Sequence, residues 1–359
     1  MKSNPKHLLF IVQYPENVSP SQRFRFELYN EVLIKNGFTV TTHSFIDQAG
    51  YAVIFKNGFF LQKAWAVTKG FLRRVQLLFN MKQYDYVLLE CGAAPVGPPV
   101  LEWIMVKWLK KKLIYDFDGA IWVPQVSEMN RLYGFLKNPG KTVSITQWAY
   151  KVSCGNEFLC NYARQYNKNV VYNPTCVDTE NHHNIPSEQD VEKVTIGWTG
   201  SFSTLQYLKL VEPVLQKLQA VYDFNFKVIC NQQPELNIKN LQYVEWTAEN
   251  EVTELATCQI GLMPLTQDEW SEGKCGFKLI QYLALEIPAV ASPVGVNKKI
   301  IEEGVNGFLC QTDNDWYLAI EKLLQNAALR KQLGTTGRKK IIEQYSLLSN
   351  SNNFLQLFS

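Results

Sequence analysis

The sequence predicts an α/β protein of two doubly wound domains, each on a parallel sheet, facing each other across a ligand cleft. Three observations predict it. The chain has 359 residues, more than one ordinary core holds and comfortable for two α/β domains. Short β-branched or apolar runs alternate with longer amphipathic ones, the pattern of right-handed βαβ units. That alternation stops once, at a polar stretch, and then starts again.

In the first half, residues 8–14, 39–45, 86–90 and 113–117 read as strands, with helices at 21–35, 60–79 and 99–111 between them. After 156–166 comes "VVYNPTCVDTENHHNIPSEQD". It is polar, holds Pro174 and Pro186 and lacks a helical period, so it reads as the inter-domain connection. His182 and His183 inside it read as members of a solvated loop rather than as metal ligands. In the second half, residues 194–198, 226–230, 243–246, 260–263 and 289–292 read as strands, with helices between and after them to about Tyr345. The domains are therefore expected at 1–175 and 176–345, with 346–359 a C-terminal helix or tail, open to packing back on the first domain. No shorter repeat and no low-complexity tract is present.

Hydrophobic residues make up 46%, enough for a packed globule, and the net charge of +3 is too small for a general nucleic-acid binder. The charge is unevenly placed. No acidic residue lies between Asp47 and Asp85, while Lys56, Lys63, Lys69, Arg73, Arg74 and Lys82 do, with Trp65, Phe71 and Phe79 among them. Basic and aromatic residues together suit an anionic membrane surface, so peripheral contact is expected through residues 56–82; a solvated basic helix is the plain alternative. Eight cysteines stand at 91, 154, 160, 176, 230, 258, 275 and 310, with no CxxC and no zinc-ligand spacing. They read as reduced, mostly buried cysteines of a cytoplasmic protein. No signal-peptide pattern and no apolar stretch of about 18 residues is seen. The expected place is the cytoplasm, with the inner face of the membrane open to it.

Four groups of residues could carry chemistry. In "IGWTGSFSTLQYL" a strand runs into Gly200 and Ser201, and a helix is expected to start at Ser203, with Gln206 at capping-box spacing. Gly200 lets backbone approach a ligand, and a helix N-terminus there would suit a diphosphate; a plain capped helix is the alternative. In "EGKCGFKLIQYLALEIPAVASPVG" a helix is expected to begin near 274–276, with Lys274 and Lys278 on one face. Two cations at a helix N-terminus oppose its dipole, which makes sense if an anion sits between them. Glu272 before them could accept from a polyhydroxylated ligand or simply favour the helix start. In "LIYDFDGAIW", Asp116 and Asp118 share a face at the end of an apolar strand, suited to substrate hydroxyls, a metal, acid/base work or helix capping. In "PSQRFRFELY", Arg23 and Arg25 could meet phosphate or lie on the surface.

These stretches, together with "LRKQLGTTGRKKIIEQYS", "GNEFLCNYA" and "NPTCVD", resemble glycosyltransferase family 4, the retaining enzymes of GT-B fold, across nearly the whole chain. The resemblance implies two Rossmann-like domains and a retaining hexosyltransferase in cell-surface polysaccharide or lipopolysaccharide biosynthesis. It implies a UDP- or GDP-linked sugar as donor and a glycan or lipid-linked acceptor, without cofactor or metal. By resemblance Lys278 meets the diphosphate with Lys274 assisting, and Gly200, Ser201, Ser203 and Thr204 contact phosphate. Gly276, Phe277 and Gln281 belong to the donor site, with Gln281 at a ribose. Asp116 and Asp118 fall where the family's acceptor-side catalytic residue sits, and Arg23 and Arg25 on the acceptor side. Two departures stand out. The family's usual pair of glutamates falls on Gly273 and Gln281, so Glu272 replaces the first only by a one-residue shift, and the usual second aspartate after Asp118 is Gly119. A nucleotide-sugar epimerase of the same fold and a degenerate, non-catalytic nucleotide binder are the competing readings.

Overall fold

A computed structural model describes residues 5–56, 58–123, 138 and 140–359. The chain forms two compact units, one of Met1–Pro174 with Ser351–Ser359 and one of Thr175–Asn350. Each contains a six-stranded sheet whose paired neighbours are all parallel.

In the first unit the strands are β1 (Lys6–Val12), β2 (Phe38–Ser44), β3 (Tyr86–Glu90), β4 (Lys112–Phe117), β5 (Lys151–Cys154) and β6 (Val170–Tyr172), in the order β2-β1-β3-β4-β5-β6. The strand β1 reads KHLLFIV, and its last five residues are all buried, as expected of a strand covered on both faces. The expected helix over 21–35 is broken. It forms α1 (Pro20–Arg25), a 3₁₀ turn and α2 (Asn30–Lys35), because Phe26 leaves helical backbone at φ −145°. Next come α3 (Gln48–Ile54), capped by Asp47, and the 20-residue α4 (Phe60–Phe79). The helix α5 (Val100–Trp103) widens into a π-turn over Ile104–Trp108, with Leu109 N–H donating to Ile104 O at 2.9 Å. The C-terminal residues close this unit: Phe354 stacks on Tyr29 with centroids 4.0 Å apart, and Asn353 donates to Tyr172 O.

In the second unit the strands are β7 (Thr195–Gly200), β8 (Asn225–Cys230), β9 (Leu241–Glu245), β10 (Ile260–Met263), β11 (Ala289–Ala291) and β12 (Gly307–Leu309), in the order β12-β11-β10-β7-β8-β9. Its core gathers Ile196, Trp198, Leu215, Phe226, Val228, Leu262 and Val290 from strands and helices alike. Two readings of the polar stretch 170–190 change. Its first three residues are β6, pairing with β5, and His183 is wholly buried rather than solvated. Seven of the eight cysteines are buried, and Cys91 is half-buried.

Candidate functional site

Doubly wound sheets bind ligands outside the carboxyl ends of their strands, where strand order reverses. In the second unit that point lies between β7 and β10. The β7 strand delivers Gly200, and the residues after β10 lead to the two lysines, so the topology brings the two sequence stretches together.

The loop after β7 does not form the expected cap at Ser203. The chain turns one residue earlier, into 3₁₀ turns over Phe202–Leu210, and no side chain caps them. Thr204 donates to Ser201 O through both N–H and Oγ1, each at 2.9 Å, and Gln206 donates only to Ser203 O. Short-range turn bonds thus take the place of the capping box. Ser201 Oγ and Ser203 Oγ lie 2.9 Å apart, and Phe202 N–H donates to Asn231 Oδ1 at the end of β8. Gly200 is required by the protein itself: a Cβ there would fall 2.5 Å from the Trp198 ring and 2.7 Å from Thr204 Oγ1.

After β10 a single helical turn, Glu269–Glu272, is capped by Asp268. The next helix begins at Phe277, not at 274–276, because Gly276 sits at φ 70° against Ile300 and cannot be helical. Lys274 therefore precedes the helix, with its Nζ 4.5 Å from the Trp270 ring centroid, while Lys278 lies in the first turn with its Nζ 5.1 Å from that of Trp198. The ammonium groups remain neighbours without sharing a helix face. Burial, with the Lys274 charge adding to it, pulls Lys278 down to about 8. Glu272 joins the same edge, since its carbonyl packs against Gly295, the glycine of the loop after β11. Phe277 is half-buried at the helix start.

Gln281 is corrected. It is wholly buried, and its Nε2 donates to Glu251 at 2.8 Å and lies 3.5 Å from His183 Nε2. It holds the Phe277–Ala284 helix to its neighbours and offers no surface to a ribose.

In the first unit the reversal lies between β1 and β3. There stands Glu90, the last residue of β3, which the sequence reading missed although it ends an apolar run as Asp116 does. It is buried, and Gln13 N–H approaches its Oε2 at 3.5 Å. Burial and the nearby Asp118 charge push it up to about 8. Asp118 accepts from Ser21 Oγ at 2.8 Å.

Asp116 and Arg25 are corrected together. Arg25 meets both oxygens of Asp116, Nε at 2.7 Å and Nη2 at 2.6 Å, and donates to Asn173 O; Ser153 Oγ donates to Asp116 as well. Both residues are buried, so the pair joins α1 to β4, β5 and the end of β6 and presents neither group to a substrate. Arg23 is half-buried, with its guanidinium 4.8 Å from the Phe24 ring centroid. Among the described residues no group of three or more metal-ligating side chains is assembled.

Residues 193–326 match the model of the family "Glycosyl transferases group 1". A curated glycosyltransferase of Methanocaldococcus jannaschii, itself uncharacterized, is 30% identical over 125 residues, which are 33% of this chain and 35% of that protein. Among solved structures, sucrose-phosphate synthase of Thermosynechococcus elongatus matches 99% of this chain and 98% of its own at a TM-score of 0.71 and 13% identity. HepE of Anabaena, solved with UDP and glucose, matches 98% of both chains at 0.63 and 12% identity. The chain thus has the GT-B fold of two Rossmann-like units, and residues 193–326 of the second unit resemble the group 1 glycosyltransferases.

Proposed function

We propose that the protein is a retaining glycosyltransferase that moves a sugar from a UDP- or GDP-linked donor to a hydroxyl of a surface glycan or lipid-linked acceptor. The observation that carries this reading is the pair Lys274 and Lys278 beside the Gly200–Thr204 loop, at the reversal point of a group 1 glycosyltransferase domain. A half-buried lysine depressed by burial and by a second lysine regains a balanced charge when an anion binds between them. The diphosphate is that anion, and the UDP held by HepE, which shares the fold, supports the choice.

In the reaction the bond from the sugar C1 to the diphosphate oxygen breaks, and a bond from C1 to the acceptor oxygen forms on the same face. The acceptor proton passes to the departing diphosphate. Charge grows on the leaving oxygen, where the two ammonium groups and the first N–H groups of the Phe277–Ala284 helix stabilise it without a metal. Glu272 takes the donor sugar hydroxyls, and Asp118 with Glu90 orients the acceptor hydroxyl on the first unit. Incubation with a panel of nucleotide sugars and acceptors, followed by NMR of the new linkage, tests this. An inverted linkage, or epimerisation of the donor without an acceptor, would overturn it.

A further inference from the structure

The first unit carries an apolar surface that its own core does not use. Plotted at 100° per residue, α4 buries Ala66, Gly70, Arg74 and Leu77 on one side. The opposite side should be polar in a solvent-facing helix. Instead it exposes Leu61 (86%), Trp65 (59%), Leu72 (60%) and Phe79 (82%), with Phe60 (81%) exposed on the flank. The sequence pattern alone misassigns part of this region. Arg74 is an internal clamp that donates to the carbonyls of Val12, His43 and Ala93, and Phe71 packs edge-on against Phe45.

The surface continues beyond α4. The crossovers from β2 to β3 and from β3 to β4 run the same way along the sheet, so α4 and α5 lie side by side on one face. Between them is a mostly apolar pocket of about 290 Å³ lined by Phe71, Val96, Pro98, Val100 and Leu101. On its far side α5 and its π-turn expose Trp103 and Trp108. Lys56, Lys82, Lys107 and Lys110 are exposed around this surface, while Lys69 and Arg73 on the polar border of α4 lie 3.6 and 3.9 Å from Asp47. Within α4 and the Val100–Trp108 helix Glu102 is the single acid, and it is buried.

We propose that α4 and the Val100–Trp108 helix together dock in the plane of an anionic lipid bilayer. Three features select that occupant. Large apolar side chains flanked by cations match an acyl layer beneath anionic headgroups. Tryptophans at the border suit the interfacial layer. A second copy of the chain fits poorly, because a two-fold interface would set this cationic rim against itself. The inference stands apart from the donor site, which lies on the other unit.

The test is sedimentation of the full chain with vesicles of phosphatidylcholine containing phosphatidylglycerol, and with phosphatidylcholine alone, without nucleotide. The expected result is binding to the anionic vesicles at low salt that weakens as salt rises. The triple variant Leu61→Ser/Trp65→Ser/Phe79→Ser should bind ~10-fold more weakly or worse. All three side chains are exposed, so its melting temperature should stay at the wild-type value. Equal binding to neutral vesicles, wild-type binding by the variant, or a wild-type dimer that the variant dissolves would each overturn the proposal. Thermal-shift binding of nucleoside diphosphate, read separately, keeps such a failure distinct from a failure of the donor site.

Discussion

The two units place opposite charges at the same topological position. Where strand order reverses in the first, a buried carboxyl group, Glu90, stands beside Asp118. Where it reverses in the second, Lys278 stands beside Lys274. Burial first, and a neighbouring like charge second, shift both groups toward their neutral forms, Glu90 up and Lys278 down, each to about 8. Neighbouring charges of one sign store electrostatic energy, which a shift in protonation relieves in part and a ligand of complementary charge relieves further. The first unit also holds a charge pair of another kind. Arg25 and Asp116 pair with each other and with Asn173 and Ser153, and belong to the architecture. What distinguishes the two kinds of site is the sign of the neighbouring charge: opposite beside Arg25, like beside Glu90 and Lys278.

The largest expected effect tests that distinction on its structural side. Removing one member of a buried, hydrogen-bonded ion pair leaves the other uncompensated, which costs about 3–5 kcal/mol. Arg25→Ala should therefore lower the urea midpoint strongly, and Asp116→Ala should do likewise. If Arg25→Ala unfolds like the wild type yet loses acceptor turnover, Arg25 is a substrate ligand and the contrast collapses. Lys278→Ala should behave in the opposite way. No salt bridge holds Lys278 among the described residues, so stability should hold or rise. Turnover should fall by ~10²-fold or more, as on losing one donor to the transition-state charge. Near-normal kcat/KM in that variant would remove the lysine from the mechanism.

Legibility in the sequence divides along the same line. The alternation of strands and helices was readable because buried parallel strands are short apolar runs, as in "YVLLE" and "IGLM". The strands β5, β6 and β12 were missed because three or four residues carry too little pattern, whereas the equally short β11 was readable between Pro288 and Gly295. The lysines, the Gly200 loop and the paired aspartates were all visible as residues, yet partnership was not. Nothing local says that Arg25 reaches Asp116, 91 positions away, or that Gln281 turns inward to Glu251. The helix start was misplaced because Gly276 looks like any glycine until Ile300 closes over it.

Ligand binding sharpens the comparison next. A nucleoside diphosphate at 100 times its Kd should stabilise the protein by about 2.7 kcal/mol, and the nucleoside alone far less. Added Mg²⁺ should change little, and the double variant Lys274→Glu/Lys278→Glu should abolish the shift. Stabilisation that EDTA removes would point to a metal instead of the lysines.

The pH dependence of the ligand-free protein should show the two like-charge sites as opposite slopes. Glu90 keeps its proton up to about 8, whereas the unfolded carboxyl loses it near 4.5, so the native state binds the extra proton between those values. Stability should fall as pH rises through that window, and Glu90→Gln should flatten the fall. Lys278 releases its proton near 8 and the unfolded lysine near 10.5, so here the unfolded state binds the extra proton. Stability should rise across that higher window, and Lys278→Met should remove the rise. Slopes unchanged by these two substitutions would mean that neither group is displaced from its ordinary titration.

The smallest expected effect concerns Ser203, and it separates two roles that the sequence left together. A serine that caps a helix contributes about 1 kcal/mol. Ser203 caps no helix, and its hydroxyl meets Ser201 Oγ on an exposed loop. Ser203→Ala should therefore change the unfolding free energy by less than about 0.5 kcal/mol, the scale of ordinary surface substitutions. Ser201 and Ser203 nonetheless stand on the loop beside Lys278, where a phosphate oxygen can accept from either hydroxyl. The same substitution should weaken nucleoside diphosphate binding by roughly the 0.5–1.5 kcal/mol of one hydrogen bond. Calorimetric titration of the variant reads the second quantity and urea denaturation the first. A loss of stability with unchanged affinity would return Ser203 to the architecture, alongside Arg25, and leave the lysines to hold the diphosphate from one side only.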